Sequence, residues 1–156
     1  MLWRRRVEPF TRPFVYAGFR WTRSLTLGVR GLVTDADGRV LLVEHTYVPG
    51  WYLPGGGVER GETAEHALGR EMVEEAGVRL TERPALLSIH SNDANHPRDH
   101  VLMYRCAGWE PCEARAGAEI HAVGWFAPEA LPEGTTRGTR ARLREALEGA
   151  PIDPLW

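Results

Sequence analysis

Between Glu59 and Glu75 the chain gathers six of its 21 acidic residues: Glu59, Glu62, Glu65, Glu71, Glu74 and Glu75. Residues 63 to 76 read as a helix, with Thr63 as its N-cap and Gly77 just past its end. At about 100° per residue, Glu71, Glu74 and Glu75 fall within an arc of roughly 100° on one face. Like charges at these spacings repel and weaken a helix, and a merely solvated face would alternate acidic with basic residues. Three convergent carboxylates suit a hard divalent cation, which takes oxygen ligands. Leu68, Met72 and Ala76 lie beside the arc and can face a core, and Ala67 is small enough to leave room for a ligand. Arg70 can pair with a carboxylate and hold it in one rotamer. Glu62 stands at the mouth of the helix, where the dipole favours an anion. Gly55, Gly56 and Gly57 let backbone approach a ligand closely and permit positive φ. A carboxylate cluster beside a glycine loop suits phosphate chemistry, in which a bound cation offsets charge and lowers the pKa of a water.

The elements that must position these groups show in the hydrophobic pattern. Leu25, Leu27, Val29, Gly31 and Val33 alternate with their neighbours and predict a strand. Asp35-Ala36-Asp37-Gly38 is a turn, and Val40-Leu41-Leu42-Val43 a second strand, so the two read as a hairpin. Pro49 to Gly57 is an ordered loop holding a short extended segment. Leu86 to His90, Val101 to Cys106 and Ile120 to Phe126 are further strands, separated at Pro84 and at Asp93 to Arg98. Thr139 to Glu148 reads as a C-terminal helix with Leu143 and Leu147 on one face. Strands divided by two helices give a mixed α/β or α+β domain.

Composition bounds the function. A chain of 156 residues favours one domain. Its 19 basic residues, all arginine, stand against 21 acidic ones for a net charge of -2, which argues against a globally basic nucleic-acid binder. The absence of lysine removes Schiff-base and P-loop lysine chemistry. No stretch reaches the roughly 18 apolar residues of a membrane span. Two cysteines, Cys106 and Cys112, exclude a disulfide framework and a four-cysteine zinc site, and a reducing cytoplasm is the expected compartment. Residues 1–24 stand apart: Arg4, Arg5, Arg6, Arg12, Arg20 and Arg23 interleave with Trp3, Phe10, Phe14, Tyr16, Phe19 and Trp21. No apolar run follows the arginines, so a cleaved signal peptide is not expected. The segment reads as a short helix or arm packed on the domain; contact with an anionic membrane surface is the alternative.

The stretch from Gly56 to Val78 resembles the Nudix box of the MutT-like hydrolases, G-x5-E-x7-R-E-U-x-E-E-x-G-U, where U is bulky and aliphatic. Gly56, Glu62, Arg70, Glu71, Met72, Glu74, Glu75, Gly77 and Val78 occupy every constrained position. Trp51-Tyr52-Leu53-Pro54-Gly55-Gly56, Leu41-Leu42-Val43, Gly124-Trp125-Phe126 and Leu131-Pro132 extend the resemblance over residues 25 to 148. It implies an α/β/α sandwich around a mixed sheet, with residues 25–150 as the hydrolase domain and 151–156 as a C-terminal tail. It implies hydrolysis of a nucleoside diphosphate linked to a further group X, by water attack on phosphorus with Mg²⁺ or Mn²⁺. Glu71, Glu74 and Glu75 would be metal ligands, helped by the Gly55 carbonyl. Arg70 would hold the glutamates, and Glu62 would support the loop. The base comes from outside the box in many members, and Glu119 is the candidate, with Glu110 and Glu113 as competitors.

A Nudix-fold module that binds without cleaving would show eroded glutamates, and none is eroded here. The isomerase branch would need a Cys and Glu pair in a recognisable setting, which Cys106 and Cys112 lack. His90, His96 and His100 match no zinc spacing, and Ser88 to His100 reads as a loop near the substrate or a plain surface loop. Arg98 could meet a phosphate. Gly56 and Gly57 would approach the substrate, and Trp51 and Tyr47 could stack on a base, although Trp51 fits core packing equally well. Cys106 reads as a small buried hydrophobe. For the substrate, a nucleoside triphosphate or nucleotide sugar ranks first, ADP-ribose second and capped RNA well behind. A small nucleotide is the expected partner, with no specific nucleic acid, and a homodimer fits the family.

Overall fold

The computed structural model describes residues 24–114 and 119–156; the basic and aromatic arm, up to residue 23, lies outside them. The elements run β1 (Thr26–Val33), β2 (Val40–His45), β3 (Trp51–Tyr52), α1 (Ala64–Ala76), β4 (Val78–Leu80), β5 (Ala85–Ser91), β6 (Asp99–Cys106), β7 (Trp109–Pro111), β8 (Ile120–Phe126), a 3-10 turn (Pro128–Ala130) and α2 (Arg137–Glu148). Strands in the order β1-β6-β5 form one sheet, β3-β2-β8 a second, and β4 with β7 a two-stranded ribbon. The first sheet is mixed: β1 runs parallel to β6, and β5 antiparallel to it.

Alternation along the strands divides the interior into two cores. Val29 and Val33 of β1, Leu41 of β2, and Leu102, Tyr104 and Cys106 of β6 pack with Ala67, Leu68 and Met72 of α1. The intervening residues Leu32, Val40, Leu42 and Met103 pack with Leu143 of α2 on the opposite side. This period of two, read by a helix on each face, is the α/β/α layering. Gly31 seats α1, because a Cβ there would run into Met72, Leu68 and Cys106. Ala67 is wholly buried in that core, so its small size serves packing and leaves no space for a ligand.

Helix α1 begins where the Thr63 hydroxyl accepts from His66 N, and ends at Gly77 with φ 63°, whose N–H caps Met72 O. Helix α2 starts two residues earlier than the hydrophobic pattern indicates, because the Thr136 hydroxyl caps Thr139 N.

The expected hairpin does not form. The turn itself is present, with Asp35 Oδ1 accepting from Asp37 N at 3.0 Å and Arg39 N at 2.8 Å. Only Thr34 and Val40 pair across it, and the strands then part into different sheets. The cause is the glycine loop, which occupies the β1 edge that β2 would need. Val29 N donates to Gly56 O and Gly31 N to Pro54 O, both at 2.9 Å, and Val58 N to Leu27 O at 2.8 Å. The same hydrogen bonds bring the glycine loop to the centre of the fold.

The last residues are docked along β5. Ser91 N donates to Pro154 O and Trp156 N to Ser91 O. Beneath them Arg142, 1% exposed, donates to Leu155 O at 2.8 Å and to Glu145 Oε1 at 2.6 Å. His90 Nδ1 lies 2.6 Å from Asp153 O. Arg142 Nη1 lies 2.9 Å from the same Nδ1, and Nε2 is 2.6 Å from the Ser88 hydroxyl. Among the described residues no helix is long and apolar enough to cross a membrane.

Candidate active site

Arg70 organises the carboxylates. Its Nε donates to Glu62 Oε1 at 2.9 Å and Nη2 to Glu62 Oε2 at 3.1 Å, a bidentate pair. Nη1 donates to Glu71 Oε1 at 2.7 Å and to Glu74 Oε2 at 3.2 Å, and Nη2 reaches Gly57 O at 3.2 Å. All five N–H donors of a guanidinium are thereby engaged. Glu62 is held down to about 2, first by its hydrogen bonds from Arg70, and Arg70 is pushed above the ordinary arginine value, first by Glu62.

Glu75 lies across the helix face from this network. Its Oε2 accepts from Gly55 N at 2.9 Å. Burial pushes it up to about 7, against the opposing pull of the Gly55 amide and the Arg30 charge. Glu71 is also raised by burial, with Arg70 opposing. Gly55 has φ 138°, and a Cβ on it would strike Val29 O, while a Cβ on Gly56 would strike the Glu71 carboxylate. Gly55 is therefore demanded by space and by backbone conformation, and Gly56 by space alone.

The three glutamate carboxylates do not meet at one point. Glu71 and Glu74 turn to Arg70, and Glu75 turns to Gly55. Among the described residues no three acidic, His or Cys side chains are arranged to enclose an ion. The donor set nonetheless suits one. Each of these carboxylates keeps one oxygen free of any hydrogen bond among the described residues, and hard oxygens are what Mg²⁺ takes. The Gly55 carbonyl is already engaged, by Arg30.

Two residues beside Glu75, His45 and Arg30, carry no motif and are not singled out by the sequence. His45 is buried, with Nδ1 lacking a hydrogen bond among the described residues and 3.7 Å from Glu75 Oε1. Burial pushes its pKa down. Tyr47 and Tyr52 flank the ring at 5.2 and 5.7 Å between centroids. Arg30 lies over Tyr52 at 5.9 Å and donates through Nη1 to Leu53 O at 2.9 Å and Gly55 O at 2.6 Å. A period-two strand pattern marks position 30 only as the polar partner of Val29, so no signal singled it out.

The remaining expected residues divide. The backbone carbonyl of Glu119 accepts from Thr46 N at 2.9 Å, and its side-chain charge is felt at Glu75, His45 and Tyr47. A register shift between Glu44 and His45 in the β2–β8 pairing brings it there. Glu110 instead pairs with Arg79 at 3.1 Å, across β4 and β7, and Glu113 is exposed, with no ion pair to the cluster among the described residues. Trp51 packs edge-on against Phe126 at 4.9 Å, on the α2 side of the sheet; its register opposite Glu44 turns it away from the carboxylates, where Tyr52 points instead. Arg98 lies in the 92–99 loop, with φ 63° and Nη1 3.4 Å from Ser24 Oγ, and no contact joins it to the carboxylates. His90 is buried under the C-terminal residues, so the three histidines of that stretch form no cluster. Cys106 is buried, its thiol pushed up to about 12 by burial.

Comparison with known proteins agrees with this geometry. Residues 24–147 match the NUDIX domain family. A MutT-like protein of Streptomyces ambofaciens is 35% identical over 126 residues, covering 80% of this chain and 79% of the relative. A Bacillus subtilis protein named provisionally as an 8-oxo-dGTP diphosphatase is 28% identical, covering 80% of this chain and 82% of the relative. The crystal structure of a MutT NUDIX hydrolase from Burkholderia pseudomallei superposes with a TM-score of 0.66 at 32% identity, covering 78% of this chain and 97% of that one.

Proposed function

The chain belongs to the Nudix hydrolase family, and from that premise we propose that it is a Mg²⁺-dependent pyrophosphohydrolase, cleaving the diphosphate link of a nucleoside diphosphate joined to a further group. The observation that carries this reading is the set of three carboxylates, each with one oxygen free, beside a glycine loop bound to β1. Mn²⁺ is the natural substitute. Glu71, Glu74 and Glu75 would hold the ion, and the second lone pair of the Gly55 carbonyl is available to it. When bound, such an ion offsets phosphate charge and lowers the pKa of a bound water.

The chain's own residues supply the rest. Arg70 fixes the rotamers of Glu71 and Glu74, and Glu62 fixes Arg70 in turn. Glu119 takes the proton of the attacking water. It is exposed, has its charge beside Glu75, and is free of the ion that would blunt a ligand carboxylate as a base. The water oxygen bonds to phosphorus, the bridging P–O bond breaks, and its electrons leave with the departing phosphate. A nucleoside triphosphate or nucleotide sugar is the favoured substrate class, with ADP-ribose next; the name of the Bacillus subtilis relative supports the triphosphate. Tyr47, 70% exposed, would stack on the base.

The test is incubation with Mg²⁺ and a panel of deoxynucleoside triphosphates, nucleotide sugars, ADP-ribose, dinucleoside polyphosphates and NADH, with products resolved by chromatography. The reading expects turnover of one class, abolished by EDTA and restored by Mg²⁺ or Mn²⁺. A folded protein that turned over a nucleotide equally well in EDTA would overturn the metal-dependent mechanism.

A further inference from the structure

We infer that Arg30 binds a phosphate of the substrate while anchored to the glycine loop, an assignment that rests on the hydrolase reading above. The strand β1 takes four successive carbonyls of that loop. Its backbone amides take two of them, Gly31 N on Pro54 O and Val29 N on Gly56 O. The carbonyls between, Leu53 and Gly55, both accept from Arg30 Nη1. The guanidinium is thus held by its own strand and loop at the point where Gly55 N meets Glu75.

The donor inventory decides the assignment. A guanidinium has five N–H donors. Arg70 spends all five on Glu62, Glu71, Glu74 and Gly57, and has none for a ligand. Arg30 spends only Nη1, and its Nε and Nη2 make no hydrogen bond among the described residues. It also makes no ion pair there, because no carboxylate approaches within salt-bridge distance. It is half-buried, so those donors are partly withdrawn from water. Half-buried guanidinium donors without partners, beside a site that must receive a diphosphate, are matched by phosphate oxygens, which accept from the guanidinium fork. Anchoring through Nη1 removes much of the side-chain entropy that a free arginine would lose on binding. Arg98, the arginine that the sequence suggests for a phosphate, is tied instead to Ser24 and the 92–99 loop.

The test measures binding of the non-hydrolysable α,β-methylene analogues of ADP and GDP, with Mg²⁺, by calorimetry, beside adenosine and guanosine. Arg30→Ala is expected to weaken the analogues about 10- to 100-fold, the scale of a lost charge-assisted hydrogen bond, and to leave the nucleosides unaffected. Arg30→Lys, which keeps the charge without the fork, is expected to fall between. Equal weakening of analogue and nucleoside, or none, would overturn the assignment and leave Arg30 a purely structural clamp. Should Arg30→Ala not fold, the lysine variant decides by the same criterion. Hydrolysis by the wild-type enzyme with analogue binding untouched by either variant would refute Arg30 alone, whereas a wild type that neither binds nor hydrolyses would refute the hydrolase reading beneath it.

Discussion

At the scale of single residues, one helix and the loop that enters it carry carboxylates of opposite character. Glu62 is held down by Arg70, and Glu75 is pushed up to about 7 by burial. Their linkages to stability have opposite signs. The folded, metal-free chain keeps a proton on Glu75 that the unfolded chain, with an ordinary value of 4.5, has already given up. That contribution is complete below about pH 4.5 and is lost as pH rises through 7. Glu62 contributes above its unfolded value of 4.5, and its contribution is lost as pH falls towards 2. Because an ion needs the carboxylate form, stabilisation by Mg²⁺ should grow between about pH 6 and pH 8 in thermal melts; a Mg²⁺ effect constant across that range would contradict the raised Glu75. The base assignment has its own test. Glu119→Gln should lower kcat by about 100-fold or more while leaving the Kd for Mn²⁺ unchanged, as read by calorimetry. These residues differed in how legible they were. The box glutamates, Arg70 and Glu62 stand at fixed spacings along one helix and its approach, so local geometry exposes them. Arg30 and His45 meet the same site from two strands, through pairing that only the assembled fold makes, and nothing in their neighbours' pattern announces it.

At the scale of elements, the glycine loop decides the topology. It fills the free edge of β1, which sends β2 into a second sheet and cancels the hairpin that Asp35 to Gly38 promises. The turn chemistry was readable, but the competition for an edge was not, since it is settled by residues some twenty positions further on. The short pairing of β4 with β7 shows no sequence signal for another reason: three-residue strands carry too little alternation. Helix α1 was legible from its cap, its C-terminal glycine and its apolar stripe, and its seat depends on Gly31. Gly31→Ala would press a methyl group into Met72, Leu68 and Cys106, an overpacking that should cost about 1–3 kcal/mol in urea unfolding. It should also displace α1 enough to lower activity. A variant as stable as the wild type would show that α1 packs less closely on β1 than described.

At the scale of the whole molecule, two helices clamp the strands and one of them also fastens the chain's end. The residues read as a tail beyond the domain cover β5, and they supply acceptors to Arg142 and His90 in a buried polar network. The sequence gives no sign of this, because Arg142 and Glu145 look like an ordinary solvated helix pair. Deleting residues 151–156 should cost about 2–4 kcal/mol, since buried donors would lose their partners. The contacts of these residues run to β5 and α2, away from the carboxylates of α1, so kcat should be retained at temperatures where the shortened protein stays folded. The fold class and the α/β/α layers, by contrast, followed from alternation and from the box. The central claim is that the carboxylates of α1 perform hydrolysis, and Glu74→Gln tests it most directly. Glu74 is 43% exposed and holds a single 3.2 Å bond to Arg70, so the neutral isostere should leave the melting curve unchanged. The account predicts that this folded variant loses turnover of whichever nucleotide the wild type cleaves, by at least about 100-fold; full activity in it would contradict the account.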